Sequence, residues 1–205
     1  MNKLIVLDWD GTIIKKNILD TASSLRAETI NGDKNNMESM KRYTGIFDDY
    51  PIKIELNHLL HMHYLHFINI NGDQVFYPDV LHYLHEWSDK GYKIVIVSNL
   101  WSKTVEQSID ILGYSKLFGS VYANSEDLIY DKKSILEQLL TELDRPFIYI
   151  GDDLEDVSAC KDLGIKSAVV LWGRQWDSEV YPDYLLDDFE KVNNLLELYD
   201  EKGLI

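Results

Sequence analysis

Two acidic strings carry most of the chemistry this chain could do: Asp8-Trp9-Asp10-Gly11-Thr12, and Gly151-Asp152-Asp153-Leu154-Glu155-Asp156. In the first, two carboxylates stand two residues apart, directly after the apolar run Leu4–Leu7. Held at a strand end they repel each other unless a cation neutralises them, and the glycine lets the backbone turn away. A plain turn with a helix cap would also use Asp-Gly-Thr. In the second, four carboxylates fall within five positions, between an apolar run and a helical pattern. That is more than helix capping needs. A hard divalent cation with oxygen ligands accounts for both strings, and Mg2+ suits a site with few protein ligands and retained waters.

Two weaker features complete the set. Ser98-Asn99 closes another apolar run, Ile94–Val97. A hydroxyl and backbone N–H groups at such a strand end can hold phosphate oxygens. Lys132-Lys133 precedes a helical pattern, where a lysine could neutralise a phosphoryl group.

Elements that would position these residues are legible. The runs Leu4–Leu7, Ile94–Val97, Phe147–Ile150 and Ala168–Trp172 are continuous rather than alternating, which predicts strands covered on both faces, as in a parallel sheet. A weaker strand is predicted at Ser120–Ala123. Between them, helical faces are formed by Val80, Leu81, Leu84 and Trp87, by Val105, Ile109 and Leu112, and by Ile135 to Leu143, the last ending before Pro146. This alternation predicts an α/β sandwich with right-handed crossovers. Residues 15–76 break the rhythm, with helices predicted around Leu19–Ile30, Met37–Tyr43 and Ile54–Phe67. They hold seven Lys/Arg against eight Asp/Glu, so nearly all of the net charge of −15 falls on the rest of the chain. We therefore expect a small helical module inserted after the first strand.

Composition bounds the function. With 20 Lys+Arg against 35 Asp+Glu, the 205-residue chain is a poor general binder of nucleic acid or of anionic membranes. Its single cysteine, Cys160, lies in an apolar pattern and is expected in the core. It excludes an intramolecular disulfide. Neither the N-terminal Leu4–Leu7 run nor Asn57–Gly72, which carries four His, reads as a signal peptide or membrane span. A reduced cytoplasmic setting is expected.

In their order along the chain, the four features resemble the haloacid dehalogenase (HAD) superfamily of aspartate-dependent phosphohydrolases. Asp8 to Thr12 match its DxDGT motif, Ser98 its second, and Gly151, Asp152 and Asp156 its GDxxxD motif. Tyr77-Pro78-Asp79-Val80 through Gly91-Tyr92 is similar to the family's approach to the second motif, and Pro182 to Asp187 to its tail. The resemblance implies a Rossmann-like three-layer sandwich over 1–14 and 77–205, with 15–76 as a helical type 1 cap, in the manner of phosphoglycolate-phosphatase-like members. Two departures stand out. The third motif is commonly Lys-Pro, whereas Lys132 is followed by Lys133. We take Lys132 as its lysine, because Leu136 and Leu139 then fall at +4 and +7. And Lys15-Lys16 stands where Asp-Ser often follows DxDGT, which bears on what enters the cap.

The resemblance also implies roles. Asp8 is the nucleophile and Asp10 the general acid and base. Asp8, the Asp10 backbone carbonyl and Asp152 hold Mg2+, with Asp153 and Asp156 positioning its waters. Ser98, the Asn99 N–H and Lys132 hold the phosphoryl oxygens. Trp9 is expected to contribute a backbone N–H rather than its ring. The implied substrate is a small phosphorylated metabolite, with no nucleic acid or membrane partner and the oligomeric state left open. A phosphomutase of sugar phosphates would use the same aspartates, and a non-catalytic regulatory or binding protein could share the scaffold. The six histidines lie between residues 58 and 85, and His58, His61, His63 and His66 suit cap packing or substrate contact better than a metal. Arg26, Lys41 and Arg42 are expected to be surface charges rather than a clamp for an anionic tail.

Overall fold

Strand pairing explains why the two acidic strings meet. In a computed structural model, which describes residues 3–32, 50–126, 128, 130–143, 147–172 and 176–203, the first strand β1 (Lys3–Asp8) lies in the middle of a sheet. β2 (Tyr92–Trp101) pairs parallel on one side and β4 (Ile148–Gly151) on the other. β3 (Phe118–Asn124) extends the sheet beyond β2, and β5 (Lys166–Val170) and β6 (Tyr184–Leu186) extend it beyond β4. The order is β3-β2-β1-β4-β5-β6, every pairing parallel. Successive strands are added outward on one side of β1 and then on the other, and in such sheets ligands sit beyond the carboxyl ends of the strands at that switch point.

The helices are α1 (Lys16–Gly32), α2 (Tyr50–Asn71), α3 (Val80–Asp89), α4 (Ser102–Leu112), α5 (Lys132–Glu142), α6 (Leu154–Leu163) and α7 (Phe189–Glu201), with a short 3-10 turn at Gly72–Val75. The strands divide their side chains between two cores, as the pleat demands. Ile5, Leu7, Ile94, Ile96, Ile148 and Ile150 pack under α3, α4 and α7. Leu4, Val6, Val95, Val97, Phe147 and Tyr149 pack under α5 and α6. The result is the expected α/β sandwich of three layers. Cys160 is fully buried in the second core.

α1 and α2 pack against each other, and their inner residues Ile18, Ala22, Tyr64 and Ile68 join the first core beside Trp9. The chain enters and leaves this insert side by side. Ile14 bridges Phe76, Lys15 N–H donates to Val75 O at 2.8 Å, and Tyr77 N–H donates to Ile13 O at 3.2 Å.

Three sequence expectations are corrected or fall outside the described residues. The β6 strand was not expected: its apolar run, Tyr184–Leu186, is only three residues long, too short to show a period. β5 ends at Val170, before Trp172, whose indole instead donates to Thr12 O at 3.0 Å and whose ring stacks on Phe189. The helix predicted at Met37–Tyr43, with Lys41 and Arg42, and the break at Pro146 lie outside the described residues.

Candidate active site

Register brings the site together. Asp8, the last residue of β1, is level with Val97, and Leu7 is level with Ile150. Ser98 and the Gly151-Asp152 turn therefore reach the height of the Asp8–Asp10 loop. All eight of the singled-out residues, Asp8, Asp10, Ser98, Asn99, Lys132, Asp152, Asp153 and Asp156, line one cavity of about 240 Å3.

Two glycines make the approach possible. Gly11 has φ +87°, and a Cβ there would lie 2.3 Å from Asp152 Oδ2. At Gly151 a Cβ would lie 2.2 Å from Asp156 Oδ2. Either substitution would push a carboxylate out of place.

Lys132 is the hub. Its Nζ, 3% exposed at residue level, lies 2.6 Å from Asp8 Oδ1, 3.1 Å from Asp156 Oδ1 and 3.0 Å from the Tyr149 hydroxyl. Tyr149 in turn donates to Asp156 Oδ1 at 3.0 Å. Lys133 points elsewhere and pairs with Asp162 at 3.0 Å. Burial works against the Lys132 charge, but the Asp156 and Asp8 carboxylates outweigh it and hold its pKa above the usual value. Burial, with help from Asp156 and Asp152, pushes Asp8 up against the pull of Lys132.

Asp10 has a different environment. Burial pushes its pKa up to about 7, opposed by a hydrogen bond from Tyr64. The Tyr64 hydroxyl donates to Asp10 Oδ1 at 2.7 Å and accepts from Trp9 Nε1 at 2.9 Å. The Trp9 ring N–H is thus taken up by Tyr64, and Trp9 does not line the cavity.

The second string caps a helix and has carboxylates to spare. Asp153 caps α6, accepting from Glu155 N–H at 2.9 Å, and its own N–H donates to Asp156 Oδ2 at 3.2 Å. Asp152 sits outside that capping box and is 1% exposed. Glu155 accepts from Asn99 Nδ2 at 3.0 Å and from Lys132 N–H at 3.2 Å, tying the ends of β2, α5 and α6 together. Ser98 Oγ accepts from Leu100 N–H at 3.1 Å.

Carboxylate oxygens of Asp8, Asp152 and Asp156 lie within 4.8 Å of one another, all three residues buried. Hard oxygen donors so close, in so dry a place, suit a divalent cation. Among the described residues no other group of His, Cys, Asp and Glu is arranged in this way. The histidines pack instead: His61 Nδ1 lies 2.8 Å from Thr104 Oγ1, and His58 meets Trp101 edge-on.

Sequence reasoning did not assign Tyr64, Tyr149, Glu155 or Lys16 to the site. Lys16 Nζ lies 2.9 Å from Asp152 Oδ2 and 3.8 Å from Asp153 Oδ2, and the Lys15-Lys16 departure was its only signal. Arg26 does not line the cavity.

Comparison with known proteins agrees with this arrangement. Residues 5–170 match the model of the family described as haloacid dehalogenase-like hydrolase. A phosphoglycolate phosphatase from Aquifex aeolicus is 28% identical over 130 residues, 60% of this chain and 59% of that protein. The pyrophosphatase PpaX of Bacillus velezensis is 31% identical over 131 residues, 60% of this chain and 58% of that protein. The matched part thus spans about three fifths of these relatives. A haloacid dehalogenase-like family hydrolase from Streptococcus pneumoniae shares the fold, with TM-score 0.67 and 18% identity over 94% of this chain and 97% of that one. With 166 of its 205 residues matched by the family model and its motifs gathered at one strand-end cavity, the chain belongs to the haloacid dehalogenase-like hydrolases.

Proposed function

We propose that the protein is a Mg2+-dependent phosphatase that hydrolyses a small phosphomonoester through an aspartyl-phosphate on Asp8. The observation that carries this reading is the buried Lys132 ammonium on Asp8, with Asp10 two residues away in the same cavity. In the first step an Asp8 oxygen attacks phosphorus, the phosphorus–oxygen bond to the alcohol breaks, and Asp10 gives its proton to the departing oxygen. In the second, Asp10 takes a proton from water, the water oxygen attacks phosphorus, and the bond to Asp8 breaks to release phosphate. General acid–base help of this kind is worth about 10²–10⁴ in rate. Ser98 Oγ, the Asn99 N–H and Lys132 bind the phosphoryl oxygens.

Asp8, the backbone carbonyl of Asp10 and Asp152 would hold Mg2+. The ion supplies positive charge that offsets repulsion between Asp8 and the phosphate. Asp153 and Asp156 orient water from behind. Asp156 suits that place because Lys132, Tyr149 and the Asp153 N–H already occupy its oxygens.

Residues 1–14 and 77–205 form the core and 15–76 the cap in this reading, supported by the pairing of Ile14 with Phe76. No helix among the described residues is long and apolar enough to cross a membrane. The partner is a small phosphorylated metabolite and the setting cytoplasmic. The relatives' names put phosphoglycolate and pyrophosphate first on the substrate panel. Asp8→Asn should keep the fold and lose turnover. Acid-quenched wild type should carry one phosphoryl group on the peptide containing Asp8, and a variant that still turns over would refute the nucleophile.

A further inference from the structure

A second cavity opens beside the first, with Leu60, Asn99 and Leu100 forming a shared wall. Its volume is about 130 Å3. It lies between the insert helix α2 and the end of β2, next to the cavity that holds Asp8 and Asp10. We infer that this cavity seats the leaving group, and that it takes an uncharged, hydroxylated one, a small polyol or sugar, rather than a carboxylate or a second phosphate. The inference rests on the phosphatase reading above.

The walls argue for it by their chemistry. The polar wall is neutral: Asn57, the His61–Thr104 pair, and the Asn124 amide, which donates to Asn99 O at 2.8 Å and accepts from Tyr130 N–H at 2.6 Å, offer remaining donor and acceptor capacity of the kind a polyol uses. Leu60, Leu100 and Trp101 supply apolar surface for carbon-bound hydrogens. Among the described residues none that lines it is a lysine or arginine. His61 is directed to Thr104 at 2.8 Å, and burial, with Lys103 and His58 nearby, holds its imidazole below the ordinary pKa. Lys103 itself pairs with Glu126 at 3.3 Å.

The first cavity offers a second anion no better reception. Six carboxyl residues line it against two lysines, and those lysines pair with Asp8, Asp156 and Asp152. Among the described residues an anionic leaving group would meet no lysine on these walls that is not already paired with a carboxylate, which is costly.

The test compares two esters of one size: glycerol 3-phosphate and 3-phosphoglycerate, which differ by a carboxylate. Release of phosphate by the full chain with Mg2+ should favour the neutral ester in kcat/KM by about tenfold or more. Asn57→Lys, which puts a cation on the wall, should shift the ratio toward 3-phosphoglycerate by about fivefold or more, mainly through KM. Should that variant misfold by circular dichroism, Leu100→Lys on the shared wall makes the same comparison. Equal rates, or a preference for the carboxylate ester, phosphoglycolate or pyrophosphate, would overturn the inference and leave the phosphatase reading standing. An unchanged ratio in the folded lysine variant would overturn the seating of the leaving group here. No metal-dependent release from any phosphate ester would remove the phosphatase reading and the inference with it.

Discussion

Lys132 and Lys16 hold their carboxylates for different ends. Lys132 is enclosed with Asp8, Asp156 and Tyr149, and taking its charge away would strand two buried carboxylates, a change typically costing about 3–5 kcal/mol. Lys16, on α1, is more accessible and pairs with the ligand candidate Asp152. A divalent ion on Asp152 must share that carboxylate with the ammonium. Lys16→Ala should therefore bind Mg2+ several-fold more tightly in calorimetry; weaker or equal binding would show that Lys16 does not oppose the ion. Tyr64 acts on the site through Asp10. Losing its hydroxyl leaves Asp10 Oδ1 and Trp9 Nε1 without that buried partner. Tyr64→Phe should lower kcat by about tenfold to a hundredfold with little change in KM, at a stability cost of about 1–3 kcal/mol. An unchanged kcat would limit Tyr64 to packing. Neither residue was legible as a site member. Trp9 and Tyr64 are 55 positions apart, and no spacing rule joins a tyrosine on an insert helix to a strand-end loop. Asp8, Asp10 and Asp152 were legible because acidic pairs directly after apolar runs have few other uses.

Elements decide how firmly those residues are held. α5 delivers Lys132 at its first turn, capped by Asp131, whose side chain accepts from Ser134 N–H at 2.8 Å. It is fixed to the sheet by Ile135, Leu136 and Leu139. Leu136 is fully buried, so Leu136→Ala should cost about 2–5 kcal/mol in urea unfolding; a loss below about 1 kcal/mol would contradict this packing. The central strands were readable because each runs apolar on both faces, Ile5 and Leu7 toward one core and Leu4 and Val6 toward the other. The edge strand β6 was not, since three residues with one exposed leucine carry no periodic signal. Trp172 misled for a related reason: an aromatic at the end of a β-branched run reads as strand, yet its indole is used to hold the Thr12 carbonyl.

At the scale of the whole molecule, the insert is joined to the sheet at the site itself. Its two connections run side by side at Ile14 and Phe76, while Lys16 ties its helices to Asp152 and Tyr64 ties them to Asp10. In the proposed reaction, closing of the insert over a small ester would arrange the acid and exclude water together. Six of the chain's 35 Asp and Glu line one cavity there against two lysines, and a cation is what such a cavity asks for. The most direct measurement is phosphate release from a panel of small phosphomonoesters, in Mg2+ and in EDTA, by wild type and Asp8→Asn. The account predicts turnover of at least one ester that EDTA abolishes and that Asp8→Asn lacks. Release that persists in EDTA, or in the Asp8→Asn protein, would contradict it.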